Sequence, residues 1–197
     1  MSFRYDIRLS GSGGQGLIMM GIILAEAIGV YDGKEVAQTQ SYGPEARGGS
    51  SKAEVIVSDE EIDYPKAIKV DLLLAMNQKA LDEYYEDLKP DGMLIVDSTF
   101  VNSIPVANAV QIPFTRLARD RFKKEMVANI VALGAISELT SIVSKKAIEA
   151  AVLARVPKGT EKLNRDALKA GMAAAKRVKK GGSVQAPETG TWKNEDI

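Results

Sequence analysis

Gly11, Gly13 and Gly16 fall in the spacing G-x-G-x-x-G, between a strand-like run, Tyr5 to Leu9, and a helix-like run, Leu17 to Ile28. Glycines at such a junction let the chain turn tightly and bring backbone N–H groups to an anion at the positive end of a helix. Gly14 and Gln15, inside the spacing, add flexibility and a polar amide. The spacing alone fits three arrangements: a dinucleotide loop, a loop for another phosphate-bearing ligand or a partner's cofactor, and a turn that only packs helix on sheet. A dinucleotide loop needs a carboxylate about 20 residues on, at the end of the second strand, to hold the ribose diol. Glu35 has roughly that separation but precedes the second strand-like run, Val36 to Thr39, whose far end carries Gln40 and Ser41. Neither supplies a carboxylate, which disfavours NAD(P).

The second candidate is the segment Ser41-Tyr42-Gly43-Pro44-Glu45-Ala46-Arg47-Gly48-Gly49-Ser50, which breaks all periodicity and reads as loop. Arg47 offers a planar fork able to clamp a carboxylate or phosphate through two parallel hydrogen bonds. Glu45 can orient that fork or act as an acid or base. The same two residues equally suit pairing with each other, contact with a neighbouring subunit, or a solvated turn. Gly48 and Gly49 suggest close approach of another group to the backbone. Tyr42, Gly43 and Pro44 complete the candidate set. Three polar residues follow strand-like runs: Asn77 after Asp71–Ala75, and Asp97 and Ser98 after Met93–Val96. Ligands of open parallel sheets sit at the carboxyl ends of strands. These three either line the cleft of Gly11–Gly16 or cap the next helix or turn.

The elements that must position these residues are short apolar strands alternating with helices. Strands are expected at Tyr5–Leu9, Val36–Thr39, Ala53–Val57, Asp71–Ala75 and Met93–Val96. Helices are expected at Leu17–Ile28, ended by Gly29 as a C-terminal glycine, and at Gln78–Leu88, stopped by Pro90 with a turn at Asp91-Gly92. From Ala118 the pattern becomes helical: Met126–Leu139, Ser144–Ala154 and Asn164–Val178. This implies an α/β fold, a mostly parallel Rossmann-like sheet with helices on both faces and a helical C-terminal part. Residues 1–180 read as one domain, sheet core to about 117 and helices from about 118, with 181–197 an extended or disordered tail. Leu17–Ala25 is apolar all round and Met126–Leu139 nearly so, which calls for cover on every side, from the chain's own helices or a partner.

The chain of 197 residues contains no cysteine and no histidine. That excludes disulfides and iron–sulfur clusters held by its own thiolates, and removes the commonest general base and zinc ligand. The formal net charge is zero, which gives no global steering toward nucleic acid or membrane. The longest apolar run, Leu17 to Val30, is too short to span a bilayer and contains Glu26. Met1–Arg8 lacks the order of a signal peptide, so a cytoplasmic protein is expected. Charge is nevertheless uneven: Lys145–Lys180 holds eleven Lys or Arg against three acids, about +8. That segment suits a solvated helix face, an acidic partner subunit or a polyphosphate ligand. It carries no aromatic residues or recognisable fold motif for nucleic acid.

Gly11-Ser12-Gly13-Gly14-Gln15-Gly16, followed after an apolar helix by Ser41-Tyr42-Gly43-Pro44-Glu45-Ala46-Arg47-Gly48-Gly49, resembles the gamma subunit of 2-oxoacid:ferredoxin oxidoreductases, within them most the 2-oxoglutarate type. The likeness covers about residues 1–180. It implies assembly with alpha and beta subunits, in some enzymes also a ferredoxin-like delta subunit. In such complexes thiamine diphosphate cleaves the 2-oxoacid, clusters carry electrons to ferredoxin, and coenzyme A takes the acyl group. The Gly-Asp-Gly that begins the thiamine diphosphate motif does not occur here. The resemblance thus implies a chain that is inactive alone, binds no cofactor or metal by itself, shapes the active-site cleft and helps hold coenzyme A. Two other functions compete: a free-standing NAD(P)-binding oxidoreductase and a purely structural assembly module.

Overall fold

The computed structural model describes residues 3–42 and 50–184. Gly43, Pro44, Glu45, Arg47, Gly48 and Gly49, and the tail beyond Val184, lie outside the described residues. Six strands form one sheet: β1 Arg4–Ser12, β2 Glu35–Tyr42, β3 Ser50–Ser58, β4 Val70–Ala75, β5 Leu88–Asp97 and β6 Val110–Ile112, in the order β2-β3-β1-β4-β5-β6. β3 alone runs against the rest, antiparallel to both β2 and β1. The pairs β1–β4, β4–β5 and β5–β6 are parallel. The sheet is mostly parallel, as its apolar strands imply.

Helices are α1 Leu17–Glu26, α2 Gln78–Tyr84, α3 Phe114–Phe122, α4 Ala128–Leu139, α5 Lys145–Arg155 and α6 Glu161–Lys179. Side chains alternate along a strand, so β1 sends Ile7 and Leu9 to one face and Asp6, Arg8 and Ser10 to the other. The first face meets α1 and α3–α6 in the larger core. On the other face α2 covers β4 and β5 through Leu81 and Tyr84, packed with Leu73, Ala75, Leu94 and Val96. Among the described residues no helix is long and apolar enough to cross a membrane.

Of the two apolar helices α4 finds its cover within the chain, while α1 leaves Met19 43% exposed. In α4, Asn129 to Ser137 are buried without interruption. α4 and α6 approach through glycines: a Cβ at Gly134 would stand 2.0 Å from Leu168 O, and one at Gly171 1.8 Å from Val131 O.

Several sequence expectations are corrected. α1 does not stop at Gly29; it continues as a π turn over Ala27–Tyr31. Gly29 is needed for packing, because a Cβ there would lie 2.5 Å from Val36 Cγ1. α2 is α-helical only to Tyr84, followed by a 3-10 turn, and Leu88 already belongs to β5. Pro90, Asp91 and Gly92 lie inside β5 rather than in a separate turn. The register jumps there, Val70 facing Leu88 but Leu72 facing Met93. Proline has no N–H for the ladder, so the strand bulges at that point. β6 and α3 add to the expected elements. β6 is three residues long, and α3 buries a small set, Phe114, Leu117 and Ala118, whose helical spacing was nonetheless available.

The glycine loop as candidate functional site

β1 is central, bonded to β3 on one side and β4 on the other, so its end delivers the glycine loop to the middle of the sheet's carboxyl edge. Gly14 and Gly16 have φ of 91° and 74°. That left-handed region strains other residues and lets the chain double back from strand into helix. A Cβ at Gly16 would also stand 2.4 Å from Asn129 Nδ2 on α4, and one at Gly11 2.4 Å from Gln15 Oε1. Gly13 differs: a Cβ there would meet nothing within 4 Å. Packing explains Gly11 and Gly16 and leaves Gly13 unexplained.

Two amides brace the loop. Ser12 N–H donates to Gln15 Oε1 at 2.7 Å, and Gln15 Nε2 donates to Met76 O at 3.2 Å. Asn77 Nδ2 donates to Ser12 Oγ at 2.5 Å, while Asn77 Oδ1 accepts from Ala80 N–H at 2.8 Å and so caps α2. Asn77 therefore does both things open to it: it caps a helix and lines the cleft. The described residues provide no acceptor for the N–H groups of Gly13, Gly14, Gly16 or Leu17. No acidic side chain stands in the first turn of α1, so the positive end of that helix has no internal counter-charge.

In front of the loop opens a cleft of about 640 Å³. Its walls include Ser12, Gly14, Gln15, Asn77, Thr115 and Met126, and Phe100 stands at the rim, 44% exposed. Gln78 fixes the Phe100 wall, its Oε1 accepting from Asn102 N–H and Ser103 N–H, each at 3.0 Å. A larger cleft of about 870 Å³ lies elsewhere, lined by Phe3, Tyr5, Glu35 and Thr140. It contains none of the motif residues.

Asp97 is wholly buried and does not line the cleft. Its Oδ2 accepts from Thr115 N–H at 3.0 Å and Thr115 Oγ1 at 2.5 Å, and its Oδ1 from Thr99 N–H at 2.9 Å. Burial pushes its carboxyl above the usual range, against the opposing pull of the Thr115 and Thr99 hydrogen bonds. Asp97 thus ties β5 to α3 and positions Thr115, a cleft residue that sequence reasoning missed. Ser98 N–H donates to Ile112 O, closing β5 against β6, and it too is absent from the cleft wall. Tyr42 ends β2 opposite Ser51, one strand removed from the glycine loop.

Sequence reasoning also missed a buried ionic cluster on the α2 face. Arg8, 2% exposed, donates from Nε to Glu54 Oε1 at 2.9 Å, from Nη2 to Ala67 O at 2.9 Å, and from Nη1 to Asp87. Tyr84 roofs it, ring centroid 5.1 Å from the guanidinium. Burial alone would raise the Glu54 carboxyl, but Arg8 and Lys52 beside it hold it below its ordinary value. A charged residue within an apolar strand gives no sequence signal that separates a solvated position from a paired buried one.

The topology weighs against a dinucleotide. The strand beside β1 is the antiparallel β3, whose start, Ser50–Ser51, faces Ser12–Gly11. β2 lies one strand further out, so its end stands about 10 Å from β1, with Gln40 and Ser41 there instead of a carboxylate. What the site offers is a set of open backbone donors at a helix start, braced by amides, suited to an anionic group.

The chain is 50% identical over 182 residues to 2-oxoglutarate synthase subunit KorC of Methanocaldococcus jannaschii, covering 90% of this chain and 97% of that one. Its fold matches the gamma subunit of a keto/oxoacid ferredoxin oxidoreductase from Geobacter sulfurreducens, TM-score 0.80 at 50% identity, over 88% of this chain and 97% of that one. It also matches 2-oxoglutarate:ferredoxin oxidoreductase from Magnetococcus marinus, solved with 2-oxoglutarate, coenzyme A and succinyl-CoA bound. There the TM-score is 0.77 at 26% identity, over 88% of this chain and 31% of that longer one. With residues 6–174 matching it throughout, the chain belongs to the pyruvate ferredoxin/flavodoxin oxidoreductase family.

Proposed function

We propose that this chain is the gamma-type subunit of a 2-oxoacid:ferredoxin oxidoreductase, with 2-oxoglutarate the favoured substrate, and that its glycine-loop cleft helps hold coenzyme A. The observation that carries this reading is the end-to-end likeness to separate subunits of such enzymes, joined to a cleft whose open donors suit a phosphate. The division of labour follows from composition. Without cysteine the chain cannot ligate clusters, and without the Gly-Asp-Gly start it lacks the thiamine diphosphate motif. Both cofactors belong to alpha and beta chains, with a delta chain as a further partner, and electrons leave to ferredoxin through the assembled complex in the cytoplasm.

Coenzyme A supplies the thiol that takes the acyl group. The residues of this chain that would hold it are the backbone of Gly13, Gly14 and Gly16, braced by Gly11, Gln15 and Asn77. Tyr42, Gly43, Pro44, Glu45, Arg47, Gly48 and Gly49 would supply a second contact, with Arg47 as the clamp. Residues 1–180 act as one domain, a reading supported by the continuous core from β1 to α6. The test is reconstitution. The purified chain alone should reduce neither ferredoxin nor a viologen dye with any 2-oxoacid, and activity should appear on adding cofactor-loaded partner chains. Turnover by the chain alone would overturn the assignment.

A further inference from the structure

Charge is unevenly distributed over the fold. Residues 145–180, with α5 and α6, pack on the larger core and carry about +8. Residues 59–91, which include α2 on the other face, carry ten acids against four lysines, net −6. The exposed lysines Lys162, Lys169 and Lys176 of α6 and Lys180 at its C-cap recur at intervals of seven, seven and four residues. A seven-residue step drifts by about 20° around a helix and rises about 10 Å, so these ammonium groups form one row along one face. Lys162 pairs with Asp166 at 2.6 Å. Lys169, Lys176 and Lys180 form no ion pair among the described residues. The buried side of the same helix, Ala167, Leu168, Gly171 and Ala174, meets α4, so the row points away from the chain's own body.

Three kinds of anionic partner could answer such a row. A second copy would meet the row in a heterologous contact, which closes into a ring or runs on as a filament; self-association of the lone chain in sedimentation would overturn the inference below in its favour. Nucleic acid fits poorly: residues 145–180 contain no aromatic side chain to stack a base. A step of about 10 Å is also wide beside a phosphate charge every 3.4 Å or so along a strand. Discrete carboxylates at similar intervals, as on an acidic helix, match both spacing and sign.

We infer that the lysine row of α6 docks onto an acidic protein surface presented by a neighbouring subunit of the oxidoreductase. This rests on the subunit reading above. Charge contacts of this kind fix orientation and association rate, and they weaken as salt approaches and passes the physiological range.

The experiment is sedimentation of the full chain with its partner subunits at low and raised salt. It compares wild type, K169E/K176E and K169R/K176R, with circular dichroism of each lone chain to register folding. The row should make wild-type association salt-sensitive, and K169E/K176E should weaken it at least tenfold at low salt while K169R/K176R stays near wild type. A wild-type chain that forms no complex removes the subunit reading and this inference together. A wild-type complex that K169E/K176E joins equally well removes this inference alone. So does a charge-reversal variant that loses affinity for an oligonucleotide while its subunit association is unchanged.

Discussion

Gly13→Ala and Gly16→Ala form a pair whose outcomes should part company. At Gly13 the new methyl meets nothing within 4 Å, and φ lies outside the left-handed region. The folded state therefore pays nothing, and a stiffer unfolded chain could add up to about 0.5–1 kcal/mol of stability. At Gly16, φ of 74° costs an L-residue about 1–2 kcal/mol, and the methyl would sit 2.4 Å from Asn129 Nδ2. Moving Asn129, which is 8% exposed and accepts from Ile130 N–H at 2.8 Å, adds roughly 1 kcal/mol. Gly16→Ala should thus lose about 2–3 kcal/mol, read as a lower urea midpoint at unchanged slope. Gly13→Ala should unfold at or slightly above the wild-type midpoint, yet raise the apparent coenzyme A constant of the reconstituted complex at least tenfold, because the methyl occupies the space where a phosphate would approach the backbone. An unchanged coenzyme A constant for a normally folded Gly13→Ala subunit refutes the assignment of the loop as a ligand cradle. A wild-type midpoint for Gly16→Ala refutes the packing argument.

Gly171→Ala should destabilise by about 3 kcal/mol or more, since its methyl would stand 1.8 Å from Val131 O and only backbone separation of α4 and α6 relieves it; calorimetric melting reads this directly. Glu54→Ala should cost about 3–5 kcal/mol by leaving Arg8 buried and less than fully paired, measured by urea unfolding at neutral pH. Because the folded Glu54 carboxyl lies below its ordinary value of 4.5, its contribution is present above that pH and lost as pH falls through the folded value; the gap between wild type and Glu54→Gln should narrow there. Arg47→Ala should leave the melting temperature of the lone chain within a degree or two of wild type. It should weaken coenzyme A use or subunit association more than tenfold, with Arg47→Lys restoring part, because a lysine keeps the charge and loses the fork.

Much of this molecule could be read from residue order alone, and the reasons are local. A glycine triplet between an apolar strand and an apolar helix can only be a tight strand-to-helix connection, and the strands at Asp71–Ala75 and Met93–Val96 are continuous enough to require burial on both faces. The absence of cysteine leaves this sequence no thiolate to hold a cluster, a point that needs no coordinates. What the sequence could not decide was anything that depends on which segments become neighbours. β3 inserts antiparallel between β2 and β1, so the strand following the first helix does not lie beside the glycine loop; no periodicity encodes that order. Asp97 reads as either a cleft residue or a cap, and only the placement of α3 decides for the cap, which makes it the support of Thr115. Arg8 looks like any surface charge until the chain at Glu54, Ala67 and Asp87 surrounds it. Gly134 and Gly171 look like helix weak points, but contact between α4 and α6 makes them obligatory. The opposed charges at residues 59–91 and 145–180 are countable in one dimension. Only three-dimensional packing puts α2 on one face of the sheet and α5 and α6 on the other, because no periodicity within a segment says which face it will cover.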